Sequence, residues 1–128
     1  MLTNAKPVIL IPTVNKDEAK AFYETVLGLT FKYDDEFALV FETAGMMLRV
    51  TPVKAFTPHQ FSVLGWEVDD IVSTINGLSA RGVEFEFYDF PWMNQDDQGV
   101  WTAPDGTRVA WFKDPAGNSL SVVQHEKK

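Results

Sequence analysis

Apolar positions first gather in an unbroken run, Val8-Ile9-Leu10-Ile11, which reads as a buried strand. Asn15 then supplies a helix N-cap, and Glu18 three residues on completes a capping box. Ala19, Phe22, Tyr23, Val26 and Leu27 follow at helical spacing, and Gly28 stands where a helix ends in a left-handed residue. Strands are expected over 30–33 and 37–43, joined by the acidic turn Asp34-Asp35-Glu36, and over 46–51 after Ala44-Gly45. The segment 52–58 has two prolines and no period, and reads as a linker. Beyond it a strand is expected over 61–68. A helix then starts at Asp69 or Asp70, places Ile71, Ile75 and Leu78 on one face, and stops at Gly82. A strand over 83–90 leads to a polar loop, Asn94-Gln95-Asp96-Asp97-Gln98-Gly99, bracketed by Trp92 and Trp101. Pro104-Asp105-Gly106 makes a hairpin turn between strands over 100–102 and 107–113, and Asp114-Pro115-Ala116-Gly117-Asn118 turns the chain into a last strand over 119–124.

The two series are one pattern repeated. Val14-Asn15, Gly28 and Phe31 recur at a constant offset as Val68-Asp69, Gly82 and Phe85. Each copy reads strand, helix, glycine stop, strand. Two βαβ-type modules in tandem are therefore predicted, each needing partners to bury its apolar face.

Composition narrows the chemistry. A chain of 128 residues is about one domain, large enough for a core without staples. There is no cysteine, which excludes disulfides, thiolate-bound zinc and cysteine nucleophiles. A net charge of −7 with scattered Lys and Arg weighs against nucleic acid. No apolar run approaches the ~18 residues that span a bilayer, and the N-terminal residues lack a signal-peptide pattern, so a soluble, cytoplasmic protein is expected. Ser62, Ser73, Ser79, Ser119 and Ser121 have no candidate His partner for a triad, and His59 and His125 read as solvated surface residues. Four Trp and ten Phe are a heavy aromatic load, serving either the core or a ring-lined ligand pocket.

Three segments carry a resemblance to a known family: Ala21-Phe22-Tyr23 with Val26-Leu27-Gly28, Val68-Asp69-Asp70, and Trp111 through Leu120 with its Asp-Pro-Ala-Gly-Asn turn. With the repeat, they make the chain resemble the vicinal oxygen chelate superfamily, which includes glyoxalase I, extradiol dioxygenases, fosfomycin-resistance enzymes and bleomycin-resistance proteins. The resemblance implies an α+β fold of two tandem βαβββ modules, forming a curved mixed sheet around a concave pocket with helices on the outer face. It implies a single domain over 5–126, with module one at 7–52, a linker at 53–60 and module two at 61–125. Metal-dependent members of the family carry four ligands on the concave face. Those positions fall here on Val8, Arg49, Val63 and Ser121, none a conventional ligand for a divalent ion. Neither a metal nor another cofactor is expected.

Strand alternation from those four positions sorts the remaining residues. Leu10, Met47, Thr51, Gly65, Glu67, Ser119 and Val123 should face the pocket. Ile9, Ile11, Leu48, Val50, Leu64, Trp66, Val68, Leu120 and Val122 should face the helices. The second set is uniformly apolar, as a helix-covered face requires. Arg49 and Glu67 are the two inward charges, and either pair with each other, reach solvent, or meet a ligand. Trp92 and Trp101 are expected at the pocket rim, with the loop from Pro91 to Gly99 acting as a lid or as an ordinary surface excursion. Trp111 cannot be assigned to a face. The ligand-binding candidates are thus Val8, Met47, Arg49, Val63, Glu67, Trp92, Trp101 and Ser121.

The function expected is a metal-free small-molecule binding protein, similar to bleomycin-resistance proteins, with an acidic surface that suits a cationic ligand. The alternatives are a glyoxalase- or dioxygenase-type enzyme, including a metal-free lyase or isomerase using Glu67 as base and Arg49 as electrophile, or a partner-binding module. A homodimer is expected, because single-chain, two-module members of the superfamily commonly pair.

Overall fold

The computed structural model describes residues 1–126. The chain divides into two compact units, Met1–Pro58 and a second from His59 onward. In the first, β1 (Val8–Thr13) is followed by α1 (Lys16–Lys20) and its π-helical continuation Ala21–Val26, then β2 (Thr30–Asp34), β3 (Leu39–Thr43) and β4 (Met46–Pro52). The strand order is β1-β4-β3-β2, with β1 parallel to β4 and the other pairs antiparallel.

The helix starts where the cap requires. The Asn15 side chain accepts the Glu18 N–H at 3.0 Å, while Glu18 accepts from the Asn15 side-chain amide at 3.4 Å rather than from its backbone. What the spacing does not predict is the widened turn after Lys20, where the Leu27 N–H reaches back five residues to the Phe22 carbonyl at 2.9 Å. Gly28, at φ 76°, ends it, and the Leu29 N–H closes on the Tyr23 carbonyl at 3.0 Å.

Across the sheet, Ile11, Val50 and Leu39 form one row and Ile9, Leu48 and Phe41 the next. This is the helix-covered face. Ile11, Leu39, Phe41, Leu48 and Val50 are buried with Ala19 and Tyr23, and the Tyr23 and Phe41 rings lie 5.8 Å apart. Each such side chain contributes about 1.5–3 kcal/mol by leaving water. One irregularity interrupts the ladder. The pairing of β2 with β3 shifts between Phe31 and Tyr33, which leaves Lys32 as the extra residue of a bulge.

The second unit repeats the plan. It runs β5 (Leu64–Glu67), α2 (Ile71–Ala80), β6 (Trp101–Thr102), β7 (Arg108–Lys113) and β8 (Ser119–Gln124), ordered β5-β8-β7-β6, with β5 parallel to β8. Asp70 caps α2 by accepting the Ser73 N–H at 3.1 Å, and the Ile71 N–H donates to the Gln124 side chain at 2.8 Å, tying the helix start to β8. Leu64, Leu120 and Phe112 align across the sheet, as do Trp66, Val122 and Ala110. All but the half-buried Trp66 are buried, and so are Ile71 and Ile75 of α2. The Asp114 turn that launches β8 is built as its residues predict. The Asp114 carboxylate accepts the Ala116 and Asn118 amides and the Asn118 side chain, at 2.8–3.0 Å. The fold is α+β, two tandem modules of one design.

Two expected strands differ. The segment 83–90 is not a strand: Phe85 makes a single bridge to Phe112 and the Glu86 N–H donates to the Trp111 carbonyl at 2.8 Å. There the ladder ends, because the Tyr88 N–H is taken by the Gln95 side chain at 2.7 Å. The strand expected over 61–68 is confined to Leu64–Glu67. Ser62 bends the chain before it by donating its hydroxyl to the Leu64 carbonyl at 3.1 Å, a local bond that competes with the ladder.

Candidate functional site

In the first unit, Val8 pairs with Met47, which pairs with Glu42; Leu10 pairs with Arg49, which pairs with Val40. Val8, Leu10, Met47 and Arg49 therefore share the face opposite the helix. Arg49 is already engaged: its Nη2 donates to Asp35 Oδ2 at 2.8 Å. The other Asp35 oxygen accepts the Phe37 and Ala38 amides, so the acidic turn is folded around the guanidinium's partner. The Arg49 hydrogen bond is the largest of the effects that hold the Asp35 carboxyl below its usual range, with the two amides adding to it.

Glu67, on the second unit's sheet, meets His125 at 3.1 Å, with 69% of its side chain exposed. Of the alternatives left open for Arg49 and Glu67, each has a charged partner within its own unit, Asp35 in the turn before β3 and His125 after β8. His125 is exposed, as expected, but it faces that carboxylate rather than solvent alone.

Ser121 sits mid-sheet, paired with Gly65 on one side and Trp111 on the other. Its hydroxyl lies 2.9 Å from that of Ser62. Because Ser62 spends its proton on the Leu64 carbonyl, Ser121 is the donor of this pair. A side chain at position 65 would place its Cβ 2.6 Å from Ser121 Oγ, so anything larger than glycine there displaces that hydroxyl. Val63 continues the parallel ladder by donating its N–H to the Ser119 carbonyl at 2.9 Å.

The register also settles Trp111. It shares the open face with Ser121, and Trp101 joins that face through its pairing with Val109. From these two rings a closed circuit of five aromatics is built. Centroid separations are 6.4 Å for Trp101–Trp111, 5.6 Å for Trp111–Tyr88, 5.9 Å for Tyr88–Phe90, 5.6 Å for Phe90–Trp92 and 5.7 Å for Trp92–Trp101. All fall in the range of favourable ring contacts. Phe90 and Trp92 are stacked within 7° of parallel, and they remain 50% and 63% exposed. Two large rings, Phe90 stacked on Tyr88 and Trp92 set edge-on to Trp101, yet both open to solvent, form a preassembled stacking surface. Tyr88 is partly buried within the circuit; burial raises its phenol pKa, and the neighbouring Glu86 charge adds to this.

The loop expected to act as a lid or as an ordinary surface excursion is tied to its surroundings by hydrogen bonds. Gln95 Nε2 donates to the Glu86 and Gly99 carbonyls at 2.9 and 2.8 Å, and its Oε1 accepts from Tyr88. Asp96 accepts the Gln98 and Val100 amides, and Gln98 donates to Asn76 on α2. Met93 within the loop and Val100 just after it are buried. These bonds brace the ring circuit. Of the candidate residues, the structure thus brings Trp92, Trp101, Val63, Ser121 and Glu67 into one unit and Val8, Met47 and Arg49 into the other.

A sequence model for the glyoxalase/bleomycin resistance protein/dioxygenase superfamily matches residues 7–122. The chain belongs to this superfamily. No curated protein sequence matches it. Among solved structures, this superfamily member is similar to the bleomycin resistance determinant encoded on transposon Tn5, with a TM-score of 0.73, 21% identity, and 97% and 100% of the two chains covered. It is similar to TnmS3, an antibiotic binding protein from Streptomyces sp. CB03234, with a TM-score of 0.70, 22% identity, and 98% and 99% covered. It is also similar to a lactoylglutathione lyase from Agrobacterium tumefaciens, with a TM-score of 0.69, 21% identity, and 97% and 96% covered. At these identities the likeness is one of fold.

The four positions at which the resemblance would place metal ligands carry side chains that are poor ligands for a divalent ion. Two are valines, one is a guanidinium already bonded to a carboxylate, and one is a hydroxyl donating to another hydroxyl. Among the described residues, no three His, Asp or Glu side chains gather in a group that could hold a metal ion.

Proposed function

We propose that this protein is a metal-free small-molecule binding protein that takes a planar aromatic ligand against the ring circuit of its second unit. The observation that carries the reading is the exposed, parallel Phe90–Trp92 pair, fixed from below by Trp101, Trp111 and Tyr88. Such rings offer large contact area at little conformational cost, because their orientation is set before a ligand arrives. The net charge of −7 favours a cationic or neutral ligand over an anionic one at this surface. The likeness to an antibiotic binding protein supports the same class of work.

Tryptophan fluorescence tests the reading, since all four Trp residues lie in the second unit. Titration with N-methylquinolinium should give saturable quenching, and Trp92→Ala should weaken it about fivefold, the magnitude of one ring–ring contact. Elemental analysis after incubation with zinc, nickel, manganese or iron should find no retained equivalent. Binding that is unchanged in both Trp92→Ala and Trp101→Leu, or one metal equivalent per chain, would sink the proposal.

A further inference from the structure

The first unit carries a cleft of about 250 Å³ beside the start of β1, the β3–β4 turn and the middle of β2. Its floor is apolar, from Val8, Val40, Met46 and Met47, and Lys6, Lys32, Tyr33 and Glu42 stand around it. Lys32 and Tyr33 are adjacent in sequence, and strict alternation would send them to opposite faces. Both line the cleft because Lys32 is the extra residue of the β2 bulge, a device that re-aims a side chain.

The two lysines differ from four of the chain's other cations. Lys16, Lys20, Arg49 and Lys113 each have a carboxylate partner. Among the described residues, neither Lys6 nor Lys32 has one. In a protein with 18 acidic residues and 11 basic ones, two unpaired cations at one apolar cleft mark a place where negative charge is accepted from outside.

We infer that this cleft is a binding site for a small amphipathic monoanion, an apolar tail carrying a carboxylate, whose head is held between Lys6 and Lys32. Two features set the ligand class. Glu42 offsets one of the two lysines, leaving a single net positive charge, which matches a monoanion better than a phosphate dianion. The volume takes about eight groups of water or methylene size, at about 30 Å³ each. The cations of this cleft are two lysines whose separation in sequence conceals them. The site shares no residue with the ring circuit, so it stands or falls separately from it.

Methionine methyl NMR reads the two places apart. Met46 and Met47 line this cleft, while Met93 is buried within the loop that braces the rings. Octanoate added to the full chain should shift Met46 and Met47 saturably and leave Met93 in place. Octylamine and octyl phosphate should bind more weakly. Lys6→Gln with Lys32→Gln should weaken octanoate about tenfold at low salt, each rim charge giving about threefold. Both residues are exposed, so the double variant should fold, and an unchanged Met93 signal verifies this. Equal binding of octanoate and octylamine, tighter binding of octyl phosphate, no shift at Met46 and Met47, or wild-type affinity in the double variant would each overturn the inference.

Discussion

Gly65→Ala is the sharpest probe of the second unit's open face. The added Cβ would lie 2.6 Å from Ser121 Oγ, a separation that side-chain carbons do not tolerate, and 3.5 Å from the Ser121 carbonyl, which is ordinary contact. Only the hydroxyl must move. If it stays, the strands are pushed apart at an overpacking cost of about 1–3 kcal/mol. If it rotates, the bond to Ser62 is lost at about 1 kcal/mol, and Ser121 is too buried, at 9% exposed, to exchange that bond fully for water. Alanine returns about 0.5 kcal/mol by restricting the unfolded chain. The net expectation is a destabilisation of about 1–2 kcal/mol. Ser121→Ala removes the offending atom while leaving its Cβ 3.9 Å from the new methyl. The double variant should therefore be more stable than the sum of the single losses, by about 1 kcal/mol in a urea-denaturation cycle followed by tryptophan fluorescence. Additive losses, or a Gly65→Ala protein as stable as the parent, would refute the reasoning.

Three further outcomes follow from contacts of the same kind. The Asp35 carboxyl, held below its ordinary value of 3.8, adds stability that is present above that pH and is lost as pH falls through the lowered value; Arg49→Met should move its NMR titration upward and shrink this acid-dependent loss. Gln95→Ala removes three bonds that staple the loop and should cost about 2 kcal/mol, with faster hydrogen exchange at the Tyr88 amide. Tyr23→Ala, at a fully buried site against Phe41, should cost about 3–5 kcal/mol by thermal denaturation.

What was legible in the chain was whatever depends on near neighbours. The Asn15 and Asp70 caps, the Asp114 turn and the alternation that puts Ile11, Leu48, Val50, Leu120 and Val122 under the helices all rest on residues a few positions apart. The misses arise where a distant side chain takes a backbone or charged group. Residues 83–90 carry strand-forming types, yet Gln95 captures the Tyr88 amide from across the loop. The alternatives for Arg49 and Glu67 could not be narrowed without knowing that Asp35 and His125 stand beside them. Trp111 was recoverable, since counting back from the Asp114 turn sets it opposite Ser121. The bulge at Lys32 and the π-helical turn have no comparable signature, because both arise from an uneven match between packed partners.

The parallel pairing at the edge of each sheet has a kinetic side. Strands β7 and β8 meet across a short turn, whereas β5 must find β8 from more than fifty residues away. Closing that longer loop costs about 2 kcal/mol more chain entropy than closing the hairpin, so β5 should be the late arrival in folding. Until it docks, one whole edge of β8 offers its unpaired amides and carbonyls to any passing strand. The brief window before Leu64–Glu67 seats is therefore when a newly made chain is most open to mispairing with another copy. Glycine at position 65 lets β5 seat beside β8 without displacing the Ser121 hydroxyl.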